Sequence, residues 1–156
     1  LYLGRQYRLK VERHAVGPDG RVRLVGGYLR VPAPSGERGG ERVCQLLRAW
    51  YWKHAEQRLR ERVKIWSAKL GLEPAAVLIR DQRSRWGSVD AKGNVRFNWR
   101  VMQAPLRLVD YVVALELLHR RYPNHTPTFC NALGQAMSDY ESRREALRRA
   151  GREMTW

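Results

Sequence analysis

The sequence has little cysteine and no long apolar run, and these two shortages exclude several classes of protein. Cys44 and Cys130 are the two cysteines among 156 residues. They provide neither a disulfide framework nor a cysteine-based zinc site, so a reducing compartment fits best. No run of 18 apolar residues occurs, and residues 1–10 alternate with charge instead of forming the apolar block of a signal peptide. We expect a cytoplasmic protein with no membrane partner.

Acidic residues are also scarce. Thirty Lys and Arg stand against 15 Asp and Glu, which gives a formal charge of +15. Such a charge attracts nucleic acid and other polyanions, although a solvated basic surface is the plainer explanation of it. Apolar residues make up 44% of the chain, with six Trp and seven Tyr, and this is enough for the core of a single domain.

The first 71 residues contain a predicted β region and a predicted long helix. Apolar and polar residues alternate over 3–11 and 22–31, on either side of the turn residues 17–20, which predicts a β-hairpin within residues 1–40. Apolar residues then recur every three or four positions over 41–71, where Gly71 is a natural C-cap, and predict an amphipathic helix. The aromatic cluster around His54 shares this spacing, which favours core packing over base stacking.

The second half of the chain predicts a short antiparallel sheet followed by two helices. Alternation is clear over 94–101, and residues 76–101 are assigned to the sheet. Pro105 and Pro123 delimit a helix over 105–122, and Thr126-Pro127 begins a C-terminal helix over 127–150. The chain thus belongs to the α+β class, as one domain.

Two polar residues interrupt the apolar face of the helix at 105–122. At about 100° per residue, Glu116 and His119 fall inside the stripe of Leu and Val side chains, roughly 60° apart. A buried carboxylate requires a shifted pKa, an ion pair or a metal. His125 follows six residues later, between two predicted helices. These residues therefore form either a metal site or a buried polar pair beside a loop histidine.

Several segments in the second half resemble one known family. The matching segments are Arg80-Asp81-Gln82-Arg83-Ser84-Arg85-Trp86-Gly87-Ser88, Gly93-Asn94, Phe97-Asn98-Trp99-Arg100, Ala104-Pro105, Asp110-Tyr111-Val112-Val113 and Pro123-Asn124-His125-Thr126-Pro127 with Phe129. This set resembles the YgjP-like metallopeptidase family, relatives of the SprT-like zinc peptidases. The resemblance implies a small zincin-like domain with an active-site helix.

The resemblance also implies roles for individual residues. Glu116 takes the place of the general base, and His119 and His125 take the places of the second and third zinc ligands. Leu115 occupies the first ligand position, which is His in the family. Further departures are Val89 in place of Cys, Cys130 in place of Trp and Ser138 in place of Pro. Zinc would then be held by two histidines, or by two histidines and Glu116.

Two functional hypotheses follow from these observations. The first is a zinc hydrolase of metallopeptidase descent, weakened or repurposed by Leu115, that acts on a peptide or small hydrolysable substrate. Its substrate would contact Arg85, Trp86 and Asn98, and a peptide would pair with strand 94–101 as a sheet edge. The second is a non-catalytic module that binds nucleic acid or another polyanion.

The second hypothesis depends on arginines close to an aromatic ring. These are Arg80, Arg83 and Arg85, beside Trp86. The plainer interpretation is a structural turn in which the arginines pair with Asp81, Asp90 or Glu116.

Overall fold

The computed structural model describes residues 1–12, 21–32, 39–82, 84–152 and 154. The elements in these ranges are β1 (Arg8–Glu12), β2 (Arg23–Val25), β3 (Tyr28–Pro32), α1 (Gly39–Leu70), β4 (Ala76–Arg80), β5 (Gly87–Val89), β6 (Asn94–Asn98), a 3₁₀ helix (Trp99–Gln103), α2 (Leu106–His119), α3 (Pro127–Ala136) and α4 (Tyr140–Ala150). The predicted α+β class and zincin-like arrangement are confirmed.

The first sheet has the strand order β1-β3-β2. An N-terminal hairpin is present, but it joins β2 to β3 through Gly26 and Gly27, whose positive φ angles of 58° and 81° suit a two-residue turn. Strand β1 runs parallel to β3. The predicted pairing of 3–11 with 22–31 as a hairpin is therefore wrong, because the turn signal lay inside the second run. The predicted turn at 17–20 lies outside the described residues.

The second sheet has the strand order β4-β6-β5. Strand β4 is parallel to β6 and β5 is antiparallel to it, so the sheet is mixed and the prediction of an antiparallel sheet is corrected. Strand β6 ends at Asn98, whose Oδ1 accepts a hydrogen bond from Arg100 N at 3.1 Å and begins the 3₁₀ helix. Because β6 has a neighbour on each side, the prediction of strand 94–101 as a substrate-pairing edge is also wrong.

The long helix α1 confirms the prediction for 41–71. It ends at Gly71, which has the positive φ of 66° expected at a helix C-terminus. Trp50 and Tyr51 are buried, and His54 Nδ1 lies 2.8 Å from Trp50 O, so this part of the aromatic cluster packs in the core. None of the helices found in the described ranges combines the length and the apolarity that crossing a bilayer requires.

Helix α2 lies in the centre of the molecule and contacts α1, β5, α3 and α4. It begins at Leu106, one residue after the predicted start at Pro105, and ends at His119, three residues before the predicted end. The predicted C-terminal helix over 127–150 is interrupted, because the buried Met137 has extended backbone angles (φ −153°, ψ 89°) that separate α3 from α4. The predicted cap is confirmed: Thr126 Oγ1 accepts a hydrogen bond from Phe129 N at 3.3 Å.

Candidate active site

Glu116 is a buried carboxylate on a helix whose middle and second half are mostly buried. Its residue is 6% exposed, and the buried residues of α2 around it are Leu108, Val109, Tyr111, Val112, Val113, Ala114, Leu117 and Leu118. The helix is buried because apolar residues cover most of its circumference, not one stripe. Glu116 consequently lies in surroundings that oppose its ionisation.

Gly87 of strand β5 makes room for the Glu116 side chain. A Cβ atom at position 87 would lie 2.6 Å from Glu116 Cγ and 2.7 Å from its Oε1. Real Cβ atoms do not approach other atoms this closely, so a side chain at position 87 would require the carboxyl group to move. The carboxyl group of Glu116 thus lies directly against the backbone of β5.

The protonation of Glu116 is set by burial. Loss of hydration raises the pKa of Glu116 from its ordinary 4.5 to about 7, and the charge of Arg85 acts in the opposite direction. Near neutral pH the carboxyl group is therefore divided between its acid and base forms. A group in this state can both accept and donate a proton during a reaction.

His119 and His125 bring two ring nitrogens together. Their Nε2 atoms lie 3.0 Å apart, and His119 Nδ1 lies 3.0 Å from Tyr122 O. A carbonyl can only accept, so the proton of neutral His119 belongs on Nδ1 and its Nε2 keeps the lone pair. Burial lowers the pKa of His119, His125 lowers it further, and the Tyr122 carbonyl opposes both. Neutral His119 is the form that binds metals.

Phe129 holds this histidine pair from one side. The ring centroids of His119 and His125 lie 4.8 and 4.7 Å from that of Phe129, and 4.8 Å from each other. Phe129 is buried near the start of α3, where the Thr126 cap fixes the backbone. The orientation of both imidazoles therefore depends on how the chain enters α3.

The two histidines meet part of the requirement for a zinc site. Two imidazole nitrogens on one tetrahedral zinc, each about 2.0–2.1 Å from it, are roughly 3.3 Å apart, close to the observed separation. Leu115 is half-buried and packs against the core, and it has no lone pair to contribute. Within the described ranges, no three His, Cys, Asp or Glu side chains gather as a metal-holding group. The geometry supports a two-histidine set, without Glu116 as a third ligand.

A cleft of about 610 Å³ opens beside these residues. Its lining residues are Gly87, Ser88, Val89, Asp90, Ala91, Lys92, Gly93, Glu116, His119, Arg120 and Pro123. One wall is therefore strand β5 and the turn after it, and the opposite wall is the second half of α2. Our sequence analysis identified Glu116 and His119 but missed Gly87 and Arg120. The available signal for Gly87 was a glycine within a predicted strand region, which can mark the close approach of another group.

The predicted substrate contacts Arg85, Trp86 and Asn98 line a second cleft of about 280 Å³. Asn98 is buried, and its Nδ2 donates to Gln82 O at 2.6 Å and to Arg85 O at 3.2 Å. It therefore holds the loop before β5, and direct substrate contact by these three residues stays a prediction. Gly151 allows the Trp86 ring to pack closely, since a Cβ there would lie 3.1 Å from Trp86 Cζ2.

The ion pairs that the sequence suggested for the arginines before β5 do not form in the described residues. Asp81 pairs with Arg48 and Arg100, and Asp90 pairs with Arg96 at 2.6 Å. Arg80 donates to the carbonyl of Ile79, and Arg83 lies outside the described residues. Asp81 and Asp90 are thus paired with other arginines, whereas the charge of Arg85 acts on Glu116 and opposes the rise of its pKa that burial causes, without an ion pair between them.

Comparisons with known proteins identify a matching family and two solved structures with a similar fold. A family model described as YgjP-like, metallopeptidase domain, matches residues 1–150. The metallopeptidase zymogen abylysin of Pyrococcus abyssi superposes with a TM-score of 0.53 at 18% identity, over 61% of this chain and 93% of its own. The zymogen jannalysin of Methanocaldococcus jannaschii gives 0.52 at 22%, over 60% and 95%. At these identities the likeness concerns the fold. No curated protein matches at a significant level.

Proposed function

The chain belongs to the YgjP-like metallopeptidase family, and from this premise we propose that it is a metal-dependent hydrolase of peptide bonds with a weakened metal site. The family implies a divalent metal, typically zinc. In this proposal His119 and His125 hold the ion, Glu116 transfers protons, and Leu115 leaves the first ligand position without a donor. The proposal rests above all on the position of Glu116, a buried carboxyl group that lies against strand β5 and lines the same cleft as His119.

Glu116 acts in this proposal as the proton carrier. With a pKa of about 7 it is ionised in a large fraction of molecules at neutral pH, and an ionised Glu116 can take a proton from an attacking water. The same carboxyl oxygen then holds that proton until the leaving amine accepts it. The tight fit against Gly87 keeps the carboxyl group beside the chain that is to be cleaved.

His119 and His125 provide the metal ligands. The Nδ1–H of His119 donates to Tyr122 O, which fixes the ring and directs the Nε2 lone pair towards His125. When bound, a divalent ion supplies a Lewis acid that polarises the scissile carbonyl. Two protein ligands hold zinc less tightly than three, so we expect activity that depends strongly on added metal.

Strand β5 is the edge on which an extended peptide would pair. Asn98 N donates to Trp86 O, and Asp90 N donates to Asn94 O. The backbone groups of every second residue of this segment, Trp86, Ser88 and Asp90, therefore point towards β6. By the same alternation, the backbone groups of Gly87 and Val89 point to the open edge. A peptide paired with those two residues would pass directly over Glu116.

Replacement of Leu115 by His tests this proposal. Residue 115 lies one turn before His119 and about 40° away around α2, so an imidazole there is directed towards the same region. Since Leu115 is half-buried, a polar side chain at this position is not fully enclosed in the core. We expect Leu115→His to bind zinc at least about tenfold more tightly and to cleave an unstructured protein substrate faster, in proportion to zinc occupancy.

The double variant Leu115→His/His125→Ala is the matched control, because it restores the number of histidines to that of the parent. We expect its zinc affinity to return to the parent level. Zinc content would be measured on dialysed protein, and circular dichroism would establish folding. A folded Leu115→His protein that binds no more zinc than the parent would contradict the proposal, and Glu116 and His119 would then be a buried polar pair.

A further inference from the structure

The two clefts meet at the beginning of strand β5. Gly87 lines the cleft that contains Glu116, and its neighbours Arg85 and Trp86 line the smaller cleft. Successive residues of a strand are about 3.4 Å apart, so Arg85 lies about 7 Å from Gly87 along the strand. A peptide paired with Gly87 and Val89 therefore needs two more residues to reach Arg85. A peptide on this edge would therefore extend from one cleft into the other.

Arg85 is the available positive charge in the smaller cleft. The other cation among its lining residues, Arg148, forms two hydrogen bonds with Glu145, at 2.8 and 2.9 Å. Arg85 is exposed, and within the described ranges no carboxylate pairs with it. Among the residues that the structure describes, no Asp or Glu lines this cleft. The charge of Arg85 acts on the buried Glu116 without an ion pair, so an incoming carboxylate would meet Arg85 without displacing an ion-pair partner among the described residues.

The backbone at Arg85 is held in place although its side chain is exposed. Asn98 Nδ2 donates to Arg85 O, and Asn98 N donates to Trp86 O at 2.9 Å, so the strand ladder continues to the residue after Arg85. The buried Asn98 thus fixes where the side chain of Arg85 originates. A guanidinium on a fixed backbone loses less freedom on binding than one on a mobile loop.

The opposite end of the main cleft is also basic. Lys92 and Arg120 line it, and the Arg120 guanidinium donates to the Glu73 carbonyl, which leaves its charge uncompensated. Asp90, at the same end, is neutralised by Arg96 at 2.6 Å. The acidic side chain that remains, Glu116, is buried under β5. The path along β5 is therefore electropositive at both ends, which favours an acidic chain.

We propose that Arg85 is a specificity-determining residue that binds a carboxylate side chain of a peptide paired along strand β5, and that acidic peptides are the preferred substrate class. This inference rests on the proposed function for the identity of the site as a peptide-binding one. The planar guanidinium of Arg85 binds a carboxylate through two parallel hydrogen bonds, which an amide side chain cannot match. The site would select a negatively charged side chain near the scissile bond and would accept any residue at the other positions of the peptide.

The test uses two end-capped, dye-labelled peptides with Glu or Gln at every second position. In an extended peptide these positions lie on one face. In every second register of the peptide along β5, one of these side chains therefore faces Arg85. Binding is measured by fluorescence anisotropy on the full chain with a metal chelator present, which prevents turnover. We expect the Glu peptide to bind about tenfold more tightly than the Gln peptide. Arg85→Gln should abolish most of that preference, and Arg85→Lys should retain part of it.

Arg42→Gln is the matched control, because Arg42 is exposed on α1 and lines neither cleft. Its preference for the Glu peptide should equal that of the parent. Equal binding of the two peptides by the parent, or a preference that survives Arg85→Gln, would overturn the inference. So would a single-stranded oligonucleotide that binds more tightly than the Glu peptide and depends equally on Arg85, because the surface would then recognise nucleic acid.

Hydrolysis of the same peptides with added zinc is followed separately by mass spectrometry. Binding that depends on charge and on Arg85 without any hydrolysis would contradict the proposed hydrolase and leave the role of Arg85 intact. Hydrolysis of both peptides at the same rate, with equal affinities, would contradict the role of Arg85 and leave the hydrolase intact. The two proposals thus fail in different measurements.

Discussion

The two three-stranded sheets of this molecule have the same topology and very different surroundings. In each sheet the first strand in the chain runs parallel to the central strand, and the second runs antiparallel to it. Each central strand also places an arginine, Arg30 or Arg96, between two buried apolar residues. The candidate active site nevertheless lies beside the second sheet.

The difference is what packs behind the antiparallel edge strand. Two of the three residues of β2 are exposed, whereas all of β5 is half-buried and contacts helix α2. The central strands also end differently. At equivalent register positions the first sheet has Pro32, which cannot donate a backbone hydrogen bond, and the second has Asn98, which organises the loop before β5.

This comparison indicates where the chemistry of the site originates. A strand with one open edge occurs in both sheets, so sheet topology alone supplies a place for a peptide but no reactive group. Helix α2 supplies that group by placing Glu116 beneath β5, and the glycine at position 87 allows the approach. The site therefore depends on the contact between a strand and a helix, and the predictions below alter the components of that contact in order of decreasing expected effect.

The largest effect is expected for Gly87→Ala. The added methyl group would overlap the Glu116 side chain and displace its carboxyl group, so we expect hydrolysis to fall by about 100-fold. Overpacking against the buried Glu116 should also lower the free energy of unfolding by about 1–3 kcal/mol. Peptide turnover and urea unfolding measure the two effects.

Gly26→Ala in the first sheet is the comparison for that variant. No atom lies within 4 Å of a Cβ at position 26, and the cost comes from its φ of 58°, about 1 kcal/mol. Turnover should stay at the parent level. If Gly87→Ala retained full turnover, the close approach of Glu116 to β5 would have no role in the reaction.

The residues of this contact differ in how far the sequence could predict them. Glu116 and His119 were found because helical periodicity places both on an apolar face, and His125 because a proline and a helix cap position the loop that contains it. Gly87 was missed, since its importance arises from a residue 29 positions later that no local pattern connects to it. The resemblance to a family, and not periodicity, gave Leu115 its significance.

Strand pairing was predicted less well, for a physical reason. Alternation of apolar and polar residues identifies strands in parallel and antiparallel sheets alike. The parallel pairing of β1 with β3 and the central position of β6 depend on contacts far apart in the chain, so the alternation at 94–101 could not distinguish a central strand from an edge. The break between α3 and α4 at Met137 was missed because Met and Ser are compatible with a continuous helix.

The second prediction concerns the charge behind β5. The pKa of Glu116 is raised in the folded protein from 4.5 to about 7, so between these pH values the unfolded chain is ionised and the folded chain is not. The unfolded state then binds fewer protons, and stability falls as pH rises from 4.5 to 7, by about 3 kcal/mol in all, and levels off above that range.

Glu116→Gln should remove this decline, since the amide does not titrate. Urea unfolding of the parent and the variant at several pH values, with a chelator present, measures the difference between their stabilities. Parallel pH profiles for the two proteins would show that Glu116 is hydrated in solution, and its role as a proton carrier with a raised pKa would have to be abandoned.

The third prediction concerns Asn98, whose position at the end of β6 corresponds to Pro32 at the end of β3. Asn98→Ala removes two hydrogen bonds that the Asn98 side chain donates and one that it accepts from Arg100 N, and should cost about 2 kcal/mol of stability. Asn98→Asp retains the acceptor for Arg100 N but loses both donors. A cost for Asn98→Asp near zero would mean that the loop carrying Arg85 does not depend on Asn98.

The smallest effect is expected for the ion pair that joins α2 to α1. Arg62 donates to both carboxylate oxygens of Asp110, at 2.6 and 2.9 Å, across 48 residues of chain, and both side chains are largely shielded from water. The matching pair of the first sheet, Arg30 with Glu12, has one short contact of 2.9 Å, and Arg30 Nε is buried without a hydrogen-bond partner.

Double-mutant cycles on the two pairs compare them directly. We expect a coupling energy of about 1 kcal/mol for Arg62 and Asp110, because the bidentate geometry fixes both groups and solvent screening is reduced. For Arg30 and Glu12 we expect at most about 0.5 kcal/mol, because desolvation of Nε opposes the attraction. A coupling energy near zero for Arg62 and Asp110 would mean that α2 is positioned by apolar packing alone. The placement of Glu116 under β5 would then survive Asp110→Ala, and peptide turnover in that variant would equal that of the parent.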